Sequence, residues 1–454
     1  MSKTIKIQKG LDIKLIGEAE KVKSELALPK TLSIKPTDFH GMIPKMVVKE
    51  GDKVNAGGIL FHDKYREAIK YASPASGTVK SVIRGEKRRI LEVVIETDGA
   101  QSYEPSNVGK LDDMSGDQVK ETLLSAGLWP FIKQRPIDIV ANPENTPKAI
   151  FISAFDTAPL AADLDYIMHN RNEEFQTGLN ALTKLTEGTV HLSLNGKFRA
   201  DSCFSEAKGV QINTVAGKHP AGNVGTHIHH IDPINKGEFV WVVNAQDVAL
   251  IGRYFMTGSF DMRKTIALTG SEVKSPHYFE TIIGANVADL LNDRIEGDNV
   301  RVISGNVLTG QRIEPDGYLG FYDNQITVIP EGNQLKFAPT EGWMAPLGFN
   351  KPTNSRLFIS RMMPGKKFRV DTNTYGEERA FVVTGELERV FPFDIYPMQL
   401  AKAAITDDID GMENLGIYEV APEDFALCEY VCTSKIDIQH YIRQGLDLIQ
   451  AECM

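Results

Sequence analysis

The chain has 454 residues, of which 42% are hydrophobic, and carries a formal net charge of -10. A chain of this length and apolar content predicts about three or four domains. The acidic excess argues against a nucleic-acid-binding protein, because a phosphate-binding surface needs an excess of basic residues. No run reaches about eighteen uncharged apolar residues, and the N-terminus lacks the apolar core of a signal peptide, so we expect a cytoplasmic protein without a transmembrane segment.

The first predicted domain, residues 1–105, has the pattern of a small β domain. Alternating or continuous apolar runs bounded by turns predict strands at residues 31–34, 45–48, 59–61, 77–83 and 90–97. The pattern of residues 48–60 and 73–79 resembles the barrel-sandwich hybrid fold of biotinyl and lipoyl carrier domains. Lys64 lies near the hairpin tip where such carriers bear a modified lysine, but the biotinyl signature is missing. An unmodified structural module is therefore favoured, with a carrier domain as the alternative.

Residues 106–258 change to an α/β pattern. An apolar run at residues 148–155 is followed by apolar residues at helical spacing, and residues 239–255 predict a strand that enters a helix. Strand, turn and helix in this order open a nucleotide-binding unit. Residues 128–177 contain no glycine, however, and a pyrophosphate needs the backbone amides of a glycine-rich turn. We therefore predict a Rossmann-like domain without a phosphate loop, in which the turn at Asp156 binds no cofactor.

Two further modules are predicted in the second half of the chain. Residues 259–335 have the order strand, strand, helix, strand, which fits a β-grasp domain of the SLBB or ubiquitin-like type. Residues 336–454 combine mixed strands, among them residues 379–384, with a small helical C-terminal cap. The helices of this cap are predicted at residues 397–405, 422–432 and 436–450. The fold class is thus multidomain α/β and α+β.

Four of the ten histidines lie in the segment HPAGNVGTHIHHIDP at residues 219–233. If this segment is a strand within an irregular connection, His227 and His229 share one face, while His230 and Asp232 share the other. Two imidazoles are a start for a zinc or iron site, but a catalytic metal also needs a third ligand and an open position. A metal site, a hydrogen-bonding or interface loop, and ordinary structural packing all stay open.

The four cysteines are too few and too scattered for a disulfide framework. Cys428 and Cys432 lie about one helical turn apart and share a face of a short predicted helix. They cannot hold an iron-sulfur cluster alone, because such a cluster needs about four ligands. Buried small apolar residues are favoured over a redox pair.

Several motifs resemble one family across nearly the whole chain. Besides the histidine segment, the motifs that carry the resemblance lie at residues 240–248, 301–310, 389–397 and 423–432. Together they closely resemble the A subunit of the sodium-translocating NADH:quinone reductase, Nqr. Neither spacing nor periodicity led to this family; the motifs themselves did.

The resemblance implies a member of a hetero-hexameric respiratory pump that passes electrons from NADH through flavins and iron-sulfur centres to quinone while exporting sodium. The A subunit is its soluble member, peripheral on the cytoplasmic face of the bacterial inner membrane. It docks on the membrane-embedded B subunit, and it belongs to the quinone-reducing half of the reaction. It is expected to be part of a translocase and not to be catalytic alone.

The domain order also resembles the flavin subunit of complex I and the C subunit of Rnf. In those relatives a glycine-rich loop binds flavin and C-terminal cysteines bind clusters, whereas residues 125–131 here carry a single glycine and only Cys428 and Cys432 remain. The comparison implies no tightly bound cofactor on this chain. FMN, iron-sulfur centres and NADH oxidation are expected on other subunits.

Quinone is the substrate that the resemblance offers for a site on this chain. A quinone head group needs an apolar slot, hydrogen-bond donors and a proton source, and histidine meets the last two demands near neutral pH. The candidate residues for quinone binding or for docking of a neighbouring subunit are His219, His227, His229, His230, Asp232 and Trp241. Asp232 is assigned as an orienting partner of the histidines, and the residue pattern alone favours Trp241 as a core residue. A stand-alone histidine-rich metalloenzyme and a carrier-like scaffold without a quinone contact are the alternatives.

Overall fold

The computed structural model describes residues 3–106, 108–198, 202–334, 363 and 365–454. The strands are β1 (Thr4–Lys6), β2 (Glu20–Glu25), β3 (Thr31–Ile34), β4 (Pro44–Met46), β5 (Lys53–Val54), β6 (Ile59–Asp63), β7 (Lys70–Ala72), β8 (Gly77–Arg84), β9 (Ile90–Thr97), β10 (Lys133–Arg135), β11 (Ile139–Val140), β12 (Ala149–Ser153), β13 (Thr189–Asn195), β14 (Gln211–Ala216), β15 (Val240–Val242), β16 (Arg263–Thr269), β17 (His277–Ile282), β18 (Val300–Ser304), β19 (Gln311–Ile313) and β20 (Gln325–Pro330). The α-helices are α1 (Gly116–Ser125), α2 (Leu164–Ile167), α3 (Asn172–Thr183), α4 (Val224–Ile231), α5 (Ala245–Thr257), α6 (Ala288–Leu291), α7 (Leu387–Val390), α8 (Pro397–Ile405), α9 (Ile409–Asn414), α10 (Ala426–Val431) and α11 (Ile438–Cys453).

The N-terminal module contains two small sheets, of strand order β3-β9-β8-β5 and β4-β6-β7. Apolar side chains of both sheets, such as Leu32, Phe61 and Val93, belong to one buried core. All five strands predicted between residues 31 and 97 are present, as β3, β4, β6, β8 and β9. Strands β1 and β2 lie within the predicted 1–105 domain, yet they pair with strands of the two other sheets. The bounds of the four predicted domains stay predictions.

The seven-stranded sheet is the α/β sheet. Parallel strands in the order β1-β14-β13-β12-β15 are continued by antiparallel β10 and β11. Successive side chains of β12 lie on opposite faces of the sheet. Ile150 packs in the core with α3 and α5, and Phe151 packs in the core with α4. Helices therefore cover both faces of the sheet. Helices α3 and α5 cross so closely that a methyl group on Gly178 or Gly252 would meet a backbone carbonyl of the other helix, so both positions need glycine.

The six-stranded sheet has the order β19-β18-β20-β16-β17-β2, with α6 packed on its core. The predicted strand, strand, helix, strand order appears as β16, β17, α6 and β18. The prediction of a strand at residues 379–384 is wrong. This segment pairs with no strand among the described residues, and Val382 and Val383 are largely exposed. A β-favouring run without a neighbouring strand gains no ladder hydrogen bonds, so propensity alone does not form a strand. Residues 336–362 and 364 of the predicted mixed region lie outside the described residues.

The C-terminal helices enclose a separate core, to which Leu400, Phe425 and Ile442 contribute. The prediction for residues 397–405 coincides with α8. Residues 422–432 form a 3-10 turn followed by α10, and α11 covers the last predicted helix. Ile137 and Ile139, from the edge of the α/β sheet, pack in this same core. Among the described residues, no helix is long and apolar enough to cross a membrane.

Candidate functional site

The histidine segment forms helix α4, so its predicted strand conformation is wrong. Val224, Ile228 and Ile231 have the spacing of one helical face, and they pack against the α/β sheet. This spacing was available in the sequence, but the surrounding glycines and prolines favoured an irregular connection. Since α4 has a 3.6-residue period, His227 and His229 point in different directions.

His219 and His227 point into the interior beside β12. His219 Nδ1 lies 3.1 Å from Thr157 Oγ1. His227 Nε2 lies 2.8 Å from the carbonyl oxygen of Ala221, and its ring packs on Phe155 at 5.5 Å. Burial lowers the pKa of both histidines, that of His227 to about 4. Both are therefore neutral at physiological pH.

His229 points to the C-terminal helical domain. The Asp394 amide donates to His229 Nε2 at 2.9 Å, which fixes that nitrogen as an acceptor. Nδ1 therefore carries the proton and donates to Glu419 Oε2 at 2.8 Å. The ring also stacks on Phe393, with centroids 4.7 Å apart and planes at 8°. His229 thus docks the helical domain and has no nitrogen left for a ligand.

The other three candidate residues do not complete a common site. His230 Nδ1 is 2.9 Å from the Thr226 carbonyl oxygen on its own helix. Asp232 Oδ1 lies 2.9 Å from Lys148 Nζ, and its role as the orienting partner of a histidine stays a prediction. Trp241 is buried, as its core assignment predicted, and its ring meets Trp129 edge to face. Within the described part of the chain, no three His, Cys, Asp or Glu side chains could hold a metal ion.

A buried ion cluster beneath α4 was not predicted from the sequence. Arg135, on β10, is buried and donates to Asp424 Oδ2 at 2.9 Å and to the Glu423 carboxylate. Burial opposes its charge, but the two carboxylates outweigh burial and raise the pKa of Arg135. A methyl group on Gly225 would collide with Asp424 and Arg135, so the first turn of α4 fits over this cluster only with glycine. The cluster joins the α/β sheet, α4 and the helical domain.

An open cleft of ≈ 220 Å³ lies beside this cluster, where all four modules meet. Its lining residues are Thr37, Asp38, Phe39, His40, Lys133, Asp138, Ile139, Val140, Gln311, Tyr322, Pro422 and Arg443. Lys133 Nζ lies 2.8 Å from Asp138 Oδ1, and Arg443 Nη1 donates to the Ile137 carbonyl oxygen at 2.7 Å. Burial raises the pKa of Asp38 to about 6, although Lys35 and the Phe321 amide oppose that rise. The cleft therefore combines apolar walls, cationic donors and a carboxyl group that titrates near neutral pH.

Sequence reasoning missed this cleft because its residues come from four distant parts of the chain. The sequence offers only a modest signal for the cleft: residues 133–140 combine the basic Lys133 and Arg135 and the acidic Asp138 with apolar residues. Which distant segments face them cannot be read from such a pattern.

Cys428 and Cys432 are buried free thiols, and burial raises the pKa of Cys428 well above its usual value. Both facts fit the predicted role as small buried residues. Lys64 is exposed in the hairpin between β6 and β7, the position predicted by the carrier-like pattern.

Three family models match consecutive parts of the chain. They describe the NqrA N-terminal barrel-sandwich hybrid domain at residues 5–98, the NqrA second alpha/beta domain at residues 114–260 and the NQRA C-terminal domain, of the SLBB type, at residues 265–314. These matches confirm the predicted barrel-sandwich, α/β and SLBB modules and define a multidomain protein of the Nqr type.

Similar full-length relatives bear the name of the A subunit of the Na(+)-translocating NADH-quinone reductase. The relative from Rhodopirellula baltica is 39% identical, with 98% of each chain covered. Those from Marinomonas and Pseudomonas aeruginosa are 38% and 39% identical and cover 98% and 99% of this chain, and 99% and 100% of their own. The chain belongs to the NqrA family, the A subunits of the Na+-translocating NADH-quinone reductases, which are parts of an oxidoreductase complex, as the resemblance predicted.

Among solved structures, an NAD+-reducing [NiFe]-hydrogenase matches with a TM-score of 0.39 and 12% identity, over 76% of this chain and 62% of that one. At that TM-score the match bears on neither fold nor function.

We predict that His229→Ala loosens the helical domain, whereas His230→Ala on the same helix does not. His229→Ala removes two hydrogen bonds and a stacked ring between domains, worth about 2–3 kcal/mol together. Among the described residues His230 contacts its own helix, so its loss should cost under about 1 kcal/mol. Hydrogen exchange of residues 391–396 measures the difference. Equal protection in the two variants contradicts the docking role of His229.

We further predict an acid-sensitive contribution from His227. Its pKa is about 4 in the folded chain and near 6.5 when unfolded, so unfolding takes up a proton between these values. The contribution is therefore complete above pH 6.5 and falls by on the order of 3 kcal/mol as the pH drops to 4. His227→Gln retains a donor for Ala221 but does not titrate. As the pH is lowered from 7.5 to 5, the denaturation midpoint of the wild type should approach that of the variant. If the two midpoints instead keep a constant difference over this pH range, the assignment is wrong.

Proposed function

We propose that the chain acts as the A subunit of a Na+-translocating NADH-quinone reductase complex, in its quinone-reducing half. The observation that carries this proposal is 39% identity to a relative of that name over 98% of both chains. Its partners would be the other subunits of the complex, above all the membrane-embedded B subunit, with this chain peripheral on the cytoplasmic face of the inner membrane. Sodium transport would belong to the complex, since an ion crosses a bilayer only through a membrane-spanning path.

Geometry at the end of β12 supports a Rossmann-like domain that binds no nucleotide. Ligands of parallel α/β sheets bind beyond the carboxyl ends of the strands. Here that place is filled by residues 219–222: Ser153 Oγ donates to the Gly222 carbonyl oxygen at 3.0 Å, and the Gly222 amide donates to Thr157 Oγ1 at 2.9 Å. Even one methyl group on Gly222 would meet the Asp156–Thr157 backbone. The segment thus occupies the position of a phosphate, and we propose that FMN and NADH bind on other subunits.

For the quinone contact we propose the cleft between the modules. Its walls of Phe39, Ile139 and Val140 suit an apolar ring, and Lys133 can donate to a quinone carbonyl oxygen. Asp38 could deliver a proton, because a carboxyl group with a pKa of about 6 exchanges protons readily near neutral pH. The chain's role would then be to bind the head group and protonate its reduced oxygen.

The histidine segment with Trp241 stays as the second candidate. The specific observation in its favour is that His227 Nδ1 and Trp241 Nε1 have no hydrogen-bond partner among the described residues. Both side chains are almost fully buried, however, so a quinone would have to displace packed residues to reach them. The metalloenzyme and carrier alternatives have no comparable geometric support.

A photoreactive quinone added to the intact complex tests the proposal. We expect crosslinks on residues 37–40 or 133–140. Asp38→Asn should slow quinone reduction at least tenfold while NADH oxidation by an artificial acceptor continues. Asp117→Asn, at a carboxylate 95% exposed and remote from the cleft, is the matched control and should leave both rates unchanged.

Crosslinks on residues 219–241 would transfer the site to the histidine segment. If the chain acquires no crosslink while other subunits do, the quinone contact on this chain is refuted.

A further inference from the structure

The tip of the β8–β9 hairpin carries the chain's most concentrated run of positive charge. Residues 84–89 contain four basic side chains and one carboxylate, in a chain whose net charge is -10. The basic residues are Arg84, Lys87, Arg88 and Arg89, and all four are exposed. Lys87 and Arg88 both have positive φ, of 52° and 62°, so the turn is tight and displays them at its end.

This tip extends beyond the sheet that supports it. On one side, β3 pairs with β9 only as far as Val93; on the other, β5 pairs with β8 only at Gly77 and Thr78. The hairpin continues as two strands to Arg84 and Ile90. Its last residues therefore form a two-stranded ribbon without a third strand on either side.

Within the part of the chain that the structure describes, the basic side chains of the tip are not neutralised. Among the described residues, no carboxylate lies within ion-pair distance of any of the four, and Arg84 Nη1 donates only to the Arg88 carbonyl oxygen at 3.4 Å. Lys80, farther down the same hairpin, does pair with an acid, since its Nζ lies 3.6 Å from Glu96 Oε1. Ile83, at the base of the tip, is 43% exposed and adds an apolar side chain to the basic group.

We propose that this hairpin tip docks on an anionic lipid surface. Exposed cations next to an apolar side chain are the combination that binds phosphate head groups at a membrane interface. The attraction is confined to the hairpin tip, because the rest of the acidic chain is repelled by the same lipid surface. The tip therefore also sets the orientation of the chain on that surface. The inference goes beyond the proposed function and rests on it only for placing the chain near a membrane.

Flotation of the full-length chain with lipid vesicles tests the proposal without any other subunit. We expect partitioning onto phosphatidylcholine vesicles with 30% phosphatidylglycerol, little onto pure phosphatidylcholine, and at least tenfold weaker binding when NaCl rises from 50 to 500 mM. Arg88→Glu with Arg89→Glu should weaken binding at least tenfold, since each basic charge near such a surface contributes roughly fivefold. Lys208→Glu with Arg379→Glu makes the same charge change at exposed residues elsewhere and should retain binding within twofold.

Equal loss in both double variants, or no flotation of wild type with anionic vesicles, overturns the proposal. If wild type does not float but the Arg88/Arg89 variant alone loses its partner subunits on purification, the tip is a contact for an acidic protein and the lipid proposal is wrong. Because the vesicle assay contains no partner, its failure leaves the proposed function standing.

Discussion

The buried charge of Arg135 is the constraint on which the arrangement of the modules depends. A guanidinium removed from water costs several kcal/mol unless carboxylates compensate it, and here the compensation comes from Asp424 and Glu423, almost 290 positions along the chain. The α/β sheet can therefore keep Arg135 inside only while the helical domain is docked. Helix α4 closes the cluster, with Gly225 over the ion pair and His229 bonded to the helical domain.

The cleft follows from the same arrangement. Lys133 and Asp138 flank Arg135 on either side along the chain, and Pro422 immediately precedes its acidic partners. Docking of the helical domain thus brings Pro422 and Arg443 to the cleft, while the N-terminal and SLBB modules contribute Asp38 and Tyr322. In the α/β domain, residues 219–222 occupy the space beyond the carboxyl end of β12. The open cleft lies instead at the antiparallel edge of the sheet, beside β10 and β11.

Much of the fold was predictable because strand and helix periods are local. The alternation in β8 and β9 and the spacing in α8 gave the correct elements. The strand prediction for residues 379–384 was wrong because β propensity does not tell whether a neighbouring strand is present. The histidine segment misled because its turn residues outweighed the helical spacing of Ile228 and Ile231. The candidate site was less accessible, since the partnership of Arg135 with Asp424 is long-range and no local pattern encodes it. The motifs identified the family without locating the cleft.

The most direct test of this account is hydrogen exchange of α4 and α11 in Arg135→Met and in Arg135→Met combined with Asp424→Leu. Replacing Arg135 alone leaves Asp424 buried without its partner, a loss of about 3–5 kcal/mol. Both helices should exchange much faster in the single variant and regain most of their protection in the double variant. Protection of both helices at the wild-type level in Arg135→Met would show that the ion cluster does not hold the domains together.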